Sequence, residues 1–189
     1  VRSPHAKARF TLGDLDEVRA AHPGLVAILT AKDVPGENSF GIFPGMKDQP
    51  VLAPGLVRYR GEAVIALVGS REAVFGVCDA DLPIVWDVEP PVSGLPAALA
   101  ERPAPIHGNV PDNVLTSGML ETGDIAEGHR LGAATAEGSF ETSFVEHAYI
   151  EPEAGFAVPV GDRIEVSACT QAPYMDLEEV ARVLGVSHD

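Results

Sequence analysis

Between Glu89 and Gly132 the chain carries prolines at 90, 91, 96, 103, 105 and 111, interleaved with glycines and small residues. Proline removes a backbone donor and glycine weakens any ordered run, so neither a long helix nor a central strand passes through such a stretch. Regular structure must be built on either side of it, which makes it the best candidate for a boundary. The 189 residues suffice for one good core, or for one domain and the beginning of another. The chain starts with Val1 rather than Met, and the expectation is a fragment.

Before that stretch, helix and strand signals alternate at short spacing, which points to an α/β (α+β) fold class. Asp14 caps a helix through Ala21, and Pro23-Gly24 ends it. Leu25 to Leu29 is a compact apolar run suited to a buried strand, after which Thr30 caps a single turn before Pro35-Gly36. Residues 36 to 55 are rich in Gly and Pro and predict a long irregular loop, with a lid or contact role open to it. Val57 to Tyr59 leads through Gly61 into an apolar strand, Ala63 to Val68. Ser70 caps a helix from about Arg71 to Ala80, and a further strand covers Ile84 to Val88. This strand, helix and strand predict a compact unit whose helix covers one sheet face.

Beyond the boundary, Ala133 to Phe140, Glu146 to Pro159 and Arg163 to Ala168 read as β segments, the middle one interrupted at Pro152. Val160-Gly161-Asp162 turns the last two into a hairpin. From Pro173 to Leu184 the apolar residues Leu177, Val180, Ala181 and Leu184 fall at helical spacing and predict one buried face. Pro173 suits the first turn, Asp176, Glu178 and Glu179 favour the positive end, and Gly185 supplies the stop.

A formal net charge of −15 argues against nucleic acid and anionic membrane surfaces, whose affinity rests on clustered Lys and Arg. No run of about 18 apolar residues and no basic leader is present, so a cytoplasmic location is the default expectation. Cys78 and Cys169 sit in apolar settings without a neighbour at ligand spacing, and the expectation for both is a small core residue.

Glu146, His147, Glu151 and Glu153 lie within a short span and offer oxygen and nitrogen donors for a metal or an acid/base pair. Their spacing matches no ligand pattern, and in a strand Glu146 and His147 point to opposite faces. Structural hydrogen bonding is the simpler role, with cleft lining as another. His5, His22, His107, His129 and His188 are scattered, and no Ser or Cys is nominated as a nucleophile beside them. The glycines form no phosphate-cradling signature.

Gln171 lies between the Arg163 to Ala168 strand and the start of the final helix, and strand ends are where sites tend to form. A neutral amide there donates a hydrogen bond to an anionic or oxo ligand without pH dependence, and the helix N-terminus adds positive potential. An amide that only satisfies loop backbone groups remains the plain alternative.

Several segments in fixed order add a resemblance. Arg2-Ser3-Pro4-His5-Ala6-Lys7-Ala8-Arg9 is followed by Pro23-Gly24-Leu25-Val26, Ala31-Lys32-Asp33-Val34-Pro35-Gly36, Asp48-Gln49-Pro50-Val51-Leu52-Ala53 and Val57-Arg58-Tyr59-Arg60-Gly61-Glu62. Together they resemble the α/β hammerhead domain in the large, molybdenum-cofactor-binding subunits of the xanthine dehydrogenase/aldehyde oxidase family. Phe140-Glu141-Thr142, the stretch from Glu146 to Ala154, and Thr170-Gln171-Ala172-Pro173 look like the start of the cofactor-binding domain that follows. Cys169 departs from the Ser that many relatives carry before Thr-Gln. The resemblance covers nearly the whole chain and is weakest from Leu82 to Ala136.

The resemblance implies a hammerhead domain over 1–115, a linker over 116–132 and a partial molybdopterin-binding domain over 133–189. It implies a parent oxidoreductase in which molybdenum, held by a pterin dithiolene, inserts water-derived oxygen into a C–H bond of an aldehyde or N-heteroaromatic substrate. Electrons then leave through iron-sulfur clusters and FAD in partner domains or subunits. By similarity, Gln171 is the cofactor-binding glutamine that hydrogen-bonds the apical oxo ligand. The Gly-Gly-Phe-Gly-Gly loop and the glutamate base of the family are not in these residues, so the chain alone is expected to be inactive, and no catalytic or metal-ligating residue is assigned. Two other classes stand beside this reading: a non-catalytic scaffold or assembly domain of the same fold, and a metal-dependent hydrolase using His147 with Glu151 or Glu153.

Overall fold

Short apolar runs separated by caps and turns become short elements in the computed structural model, which describes residues 1–43, 45–101, 103–143, 145–151 and 154–188. In chain order these are β1 (Ala8–Leu12), α1 (Leu15–Ala21), β2 (Leu25–Leu29), β3 (Leu56–Val57), β4 (Ala66–Gly69), α2 (Arg71–Gly76), β5 (Ile84–Val88), α3 (Leu95–Ala98), α4 (Ile125–Leu131), β6 (Gly155–Val160), β7 (Arg163–Ala168) and α5 (Pro173–Leu184). They fall into two compact units, one of Val1–Leu115 with Ala172–Asp189, the other of Thr116–Gln171.

The first unit owns the core. β1 is the middle strand of an antiparallel sheet ordered β3-β1-β5. Its side chains alternate, Ala8 and Phe10 inward and Arg9 and Thr11 outward, as a period of two requires. Phe10 pairs with Trp86 across the ladder and their rings lie 5.3 Å apart. Beneath them Ala53, Val57, Val64 and Ile65 are buried, Val57 and Val64 to 0% exposure. Each such Val or Ile contributes roughly 1.5–3 kcal/mol on burial. A second antiparallel pair, β2-β4, carries a bulge between Leu25 and Ala27.

The segments that carry the family resemblance meet one another here. Ser3 N–H donates to the Glu62 carbonyl at 2.9 Å, Gly61 N–H to the Ser3 carbonyl at 2.8 Å, and Ala53 N–H to the Ala63 carbonyl at 2.8 Å. Gly61 has φ +95°, a conformation glycine enters without steric cost. This turn carries Glu62 inward, where its buried carboxylate accepts the Arg58 N–H. A buried carboxylate is tolerable only when hydrogen-bonded, so the turn and the acceptor depend on each other.

Local expectations hold at α1 with its Asp14 cap, the Thr30-capped turn Ala31–Asp33, β5, β7 and the bounds, first-turn Pro173 and left-handed Gly185 of α5. β2 forms where expected but with Val26 and Leu29 exposed, and the buried face expected of α5 does not form, since Leu177 and Val180 are exposed and Ala181 is buried. Others need correction. Ser70 caps α2, but the helix stops at Gly76, and a separate 3-10 turn covers Asp79–Asp81. β4 and β5 lie in different sheets, so β4, α2 and β5 do not form one covered sheet. No strand forms over 133–140 or over the described residues from 145 to 151, and the middle β segment is confined to β6. Pro152 lies outside the described residues. Cys78 is exposed and Cys169 half-buried, so neither is a core residue.

The second unit has almost no interior. Among its described residues only Cys169 is even half-buried. Ile150 is 100% exposed and Phe140 94%. β6 and β7 pair from Gly155↔Ala168 to Val160↔Arg163, with Gly161 at φ +64° in the predicted turn, and every residue of both strands is exposed.

Candidate functional site

The hairpin ladder ends one bond beyond β7, where Cys169 N–H donates to the Ala154 carbonyl at 3.2 Å. Two residues later comes Gln171, exposed, directly before Ala172, the N-cap of α5. Ala172 has no side chain able to accept from the first turn; its carbonyl takes the Asp176 N–H at 3.0 Å. Proline at the first helical position removes one donor that would otherwise lack a partner. A helix start carries a partial positive charge, and in the sequence Gln171 directly precedes this one. Asp176 supplies the acidic group of the first turn; Glu179, expected there as well, lies further along and is engaged in ion pairs instead.

The acidic and histidine cluster does not assemble. Glu146, His147 and Glu151 are exposed, and Ala148 between them has φ +53°, so this stretch turns rather than extends. A left-handed non-glycine residue costs roughly 1–2 kcal/mol. The face-alternation expected of a strand therefore does not apply to Glu146 and His147. Glu153 lies outside the described residues. Among the described residues no group of three His, Cys, Asp or Glu side chains could hold a metal ion. An open hollow in the second unit is lined by Glu151, Phe156, Ser167 and Cys169 among others; Gln171 is not part of it.

Two sets of residues escaped the sequence reading. Asn113 holds φ +58°, and its side chain accepts the Ile106 N–H at 2.8 Å while donating to the Ala98 and Ala104 carbonyls at 3.2 and 3.0 Å. Asn tolerates the left-handed region better than other side chains, and a proline-rich stretch with an Asn is the available signal. The second set binds α5 to the 36–47 loop through Gly36, Lys47, Glu179 and Arg182. Among the described residues no helix is long and apolar enough to cross a membrane.

Comparison with known proteins places two families in order along the chain. Residues 1–74 match the aldehyde oxidase and xanthine dehydrogenase a/b hammerhead domain, and residues 106–189 match the molybdopterin cofactor-binding domain. A probable xanthine dehydrogenase subunit of Bacillus subtilis is 30% identical over 88% of this chain and 22% of its own length. The nicotinate dehydrogenase large molybdopterin subunit of Eubacterium barkeri is 30% identical over 98% of this chain and 43% of its own length. The solved structure of an aldehyde oxidoreductase from Desulfovibrio gigas superposes over the whole chain with a TM-score of 0.84 at 24% identity, covering 22% of that protein. The chain thus spans less than half the length of these relatives.

Proposed function

We propose, for a chain that belongs by its two matched segments to the molybdenum-binding subunits of the xanthine dehydrogenase/aldehyde oxidase family, that it is part of an oxidoreductase hydroxylating an aldehyde or an N-heteroaromatic compound. The observation that carries this reading is the match of residues 106–189 to the molybdopterin cofactor-binding domain. Named relatives support the substrate range: one is called a xanthine dehydrogenase subunit and another a nicotinate dehydrogenase subunit. The proposed division is a hammerhead domain over 1–115, a linker over 116–132 and the start of the cofactor domain over 133–189. Iron-sulfur and FAD domains or subunits are the proposed partners, and the cytoplasm the proposed location.

The residues present suit the cofactor in one respect. An oxo ligand accepts hydrogen bonds, and Gln171 offers an exposed neutral amide at the position directly before α5 in the chain. The family resemblance implies that the metal's direct ligands would come from the pterin. Bound molybdenum-pterin supplies the two-electron oxidation; the chain supplies a donor that orients and polarises the group. Because the amide does not titrate, this contribution is constant across the pH range in which substrates and carboxylates change charge.

The test is Gln171→Ala in the full-length subunit assembled with its partners. The expected result is a fall in kcat of roughly 10–100-fold, the size of loss typical for residues that orient a metal site. Full activity with unchanged metal content would remove Gln171 from the site. The 189-residue chain alone should retain no molybdenum after gel filtration, and stoichiometric metal in it would show that the remaining sequence of the full-length protein is dispensable for binding.

A further inference from the structure

Helix α5 lies inside the stretch matching the cofactor-binding domain, yet it packs in the first unit, against a loop that belongs to the hammerhead match. That contact is built at backbone level. Gly36 N–H donates to the Val183 carbonyl at 2.9 Å and Glu37 N–H to the Arg182 carbonyl at 3.1 Å. The Val183 carbonyl is of the kind that a helix C-terminus otherwise leaves without a partner, while the Arg182 carbonyl also takes the Gly185 N–H at 3.2 Å. A Cβ on Gly36 would stand 2.1 Å from the Arg182 carbonyl oxygen and 2.6 Å from the Gly185 nitrogen, so only glycine permits the approach. Gly185, at φ +68°, is the left-handed residue that turns the chain away there.

Side chains lock the same seam. One oxygen of Glu179 pairs with Lys47 and the other with Arg182. Lys47 also donates to the Gly41 carbonyl, and Arg182 donates to the Ser39 carbonyl at 3.1 Å and lies 3.3 Å from Glu37. The Lys47 and Glu179 side chains are mostly buried, so this pair is screened far less than an ordinary surface pair. Apolar burial does little of the holding, because Leu177 and Val180 are exposed and Ala181 is the buried apolar residue of the helix. The polar seam therefore fixes the C-terminal half of α5.

We propose that this seam is a positioning device by which the hammerhead segment holds the helix that directly follows Gln171, with Glu179 and Gly36 as positioning residues. The inference rests on the role given to Gln171 above. A 12-residue helix is about 18 Å of stiff rod. Fixing residues 179–185 fixes its axis, and the N-cap Ala172 is joined to Gln171 by a single peptide bond. Releasing the seam leaves the amide chemically unchanged and frees the helix that begins directly after it.

The test uses the full-length subunit. Glu179→Gln keeps size and shape and removes the charge. In the cofactor-free subunit, hydrogen exchange of residues 173–184 should quicken at least ~10-fold, a local opening that requires no activity to observe. In the loaded enzyme kcat should fall ~10-fold at unchanged molybdenum content and with KM within about twofold, as misplacement of a group acting on the reacting centre predicts. The deciding measurement is a cycle with Gln171→Ala: if the seam acts through Gln171, Glu179→Gln lowers kcat no further in that background. Unchanged exchange and kcat in Glu179→Gln, or full additivity of the two substitutions, would overturn the proposal while leaving the role of Gln171 intact. Wild-type kcat in Gln171→Ala would overturn both. Glu179→Asp, which retains the charge, should recover most of the lost rate.

Discussion

The two units solve opposite problems. Residues 1–115 with α5 enclose Val57, Val64 and Ile65 and even bury a carboxylate, Glu62, against a backbone donor. Residues 116–171 carry Phe140, Ile150 and Phe156 on the outside and bury none of them, although they include much of the sequence matched to the cofactor-binding domain. An isolated two-stranded hairpin is marginal in water, and exposed apolar surface on this scale marks surface made to be covered. The difference teaches that recognisable family sequence and self-sufficient packing are separate properties. The first unit has both. The second has only the former.

The comparison breaks most visibly in the core. Ile65 is 2% exposed in the main cluster, so Ile65→Ala should cost roughly 2–5 kcal/mol in chemical denaturation of this chain. Phe156→Ala, on an exposed strand, should stay within about 0.5 kcal/mol there. In the full-length subunit the Phe156 cost should rise if the rest of the protein covers the hairpin. Equal costs for both substitutions in the 189-residue chain would mean that the second unit has a core of its own.

The same contrast explains what the sequence could reveal. Asp14, Ser70, Pro173, Gly161 and Gly185 act within a few residues of themselves, so helix starts, the hairpin turn and the stop of α5 were legible. Strand partners are set by distant residues. β1 pairs with β5 across a long stretch of intervening chain, and nothing local announces the order β3-β1-β5. Residues 133–140 and 145–150 have β-like composition, but among the described residues they join no strand ladder and stay irregular. Gln171 stood out by its place between a strand and a helix. The attachment of α5 to the hammerhead segment through Glu179, 132 residues from Lys47, did not.

Next in expected size is the glycine seam. Gly36→Ala drives a methyl into the Arg182 carbonyl, a backbone atom that cannot swing aside, and should cost roughly 1–3 kcal/mol by overpacking. Protection of α5 amides should fall while that of β1 and β5 is kept, since the core does not depend on this contact. Asn113→Ala removes three hydrogen bonds and leaves a left-handed alanine, for about 2.5 kcal/mol together at the low end of each contribution, as suits a partly exposed loop. Limited proteolysis should then cut within 98–113 first. Cleavage moving to 133–150 instead would mean that the uncovered unit, and not this loop, is the weaker part.

The smallest effect is electrostatic and has a definite sign. Burial by itself raises the pKa of Glu179, but the hydrogen bond from Lys47, the charges of Arg182 and Lys47 and the contact with the Gly41 backbone outweigh it, and the carboxyl is held below its ordinary value. A group whose folded pKa is depressed contributes stability that is fully present above its unfolded pKa and is lost as pH falls through the folded one. The seam should therefore be intact at neutral pH and loosen only below the usual carboxylate range. Glu179→Gln should protect α5 less than wild type at about pH 7, and the two proteins should converge as the medium is acidified. Among the described residues of the second unit, the pairs Glu127–Arg130 and Arg163–Glu165 are both exposed, and their contributions are screened by salt. A gap between wild type and Glu179→Gln that widened toward acid would mean that Glu179 is held by burial as a neutral acid, and that the seam is not an ion pair at all.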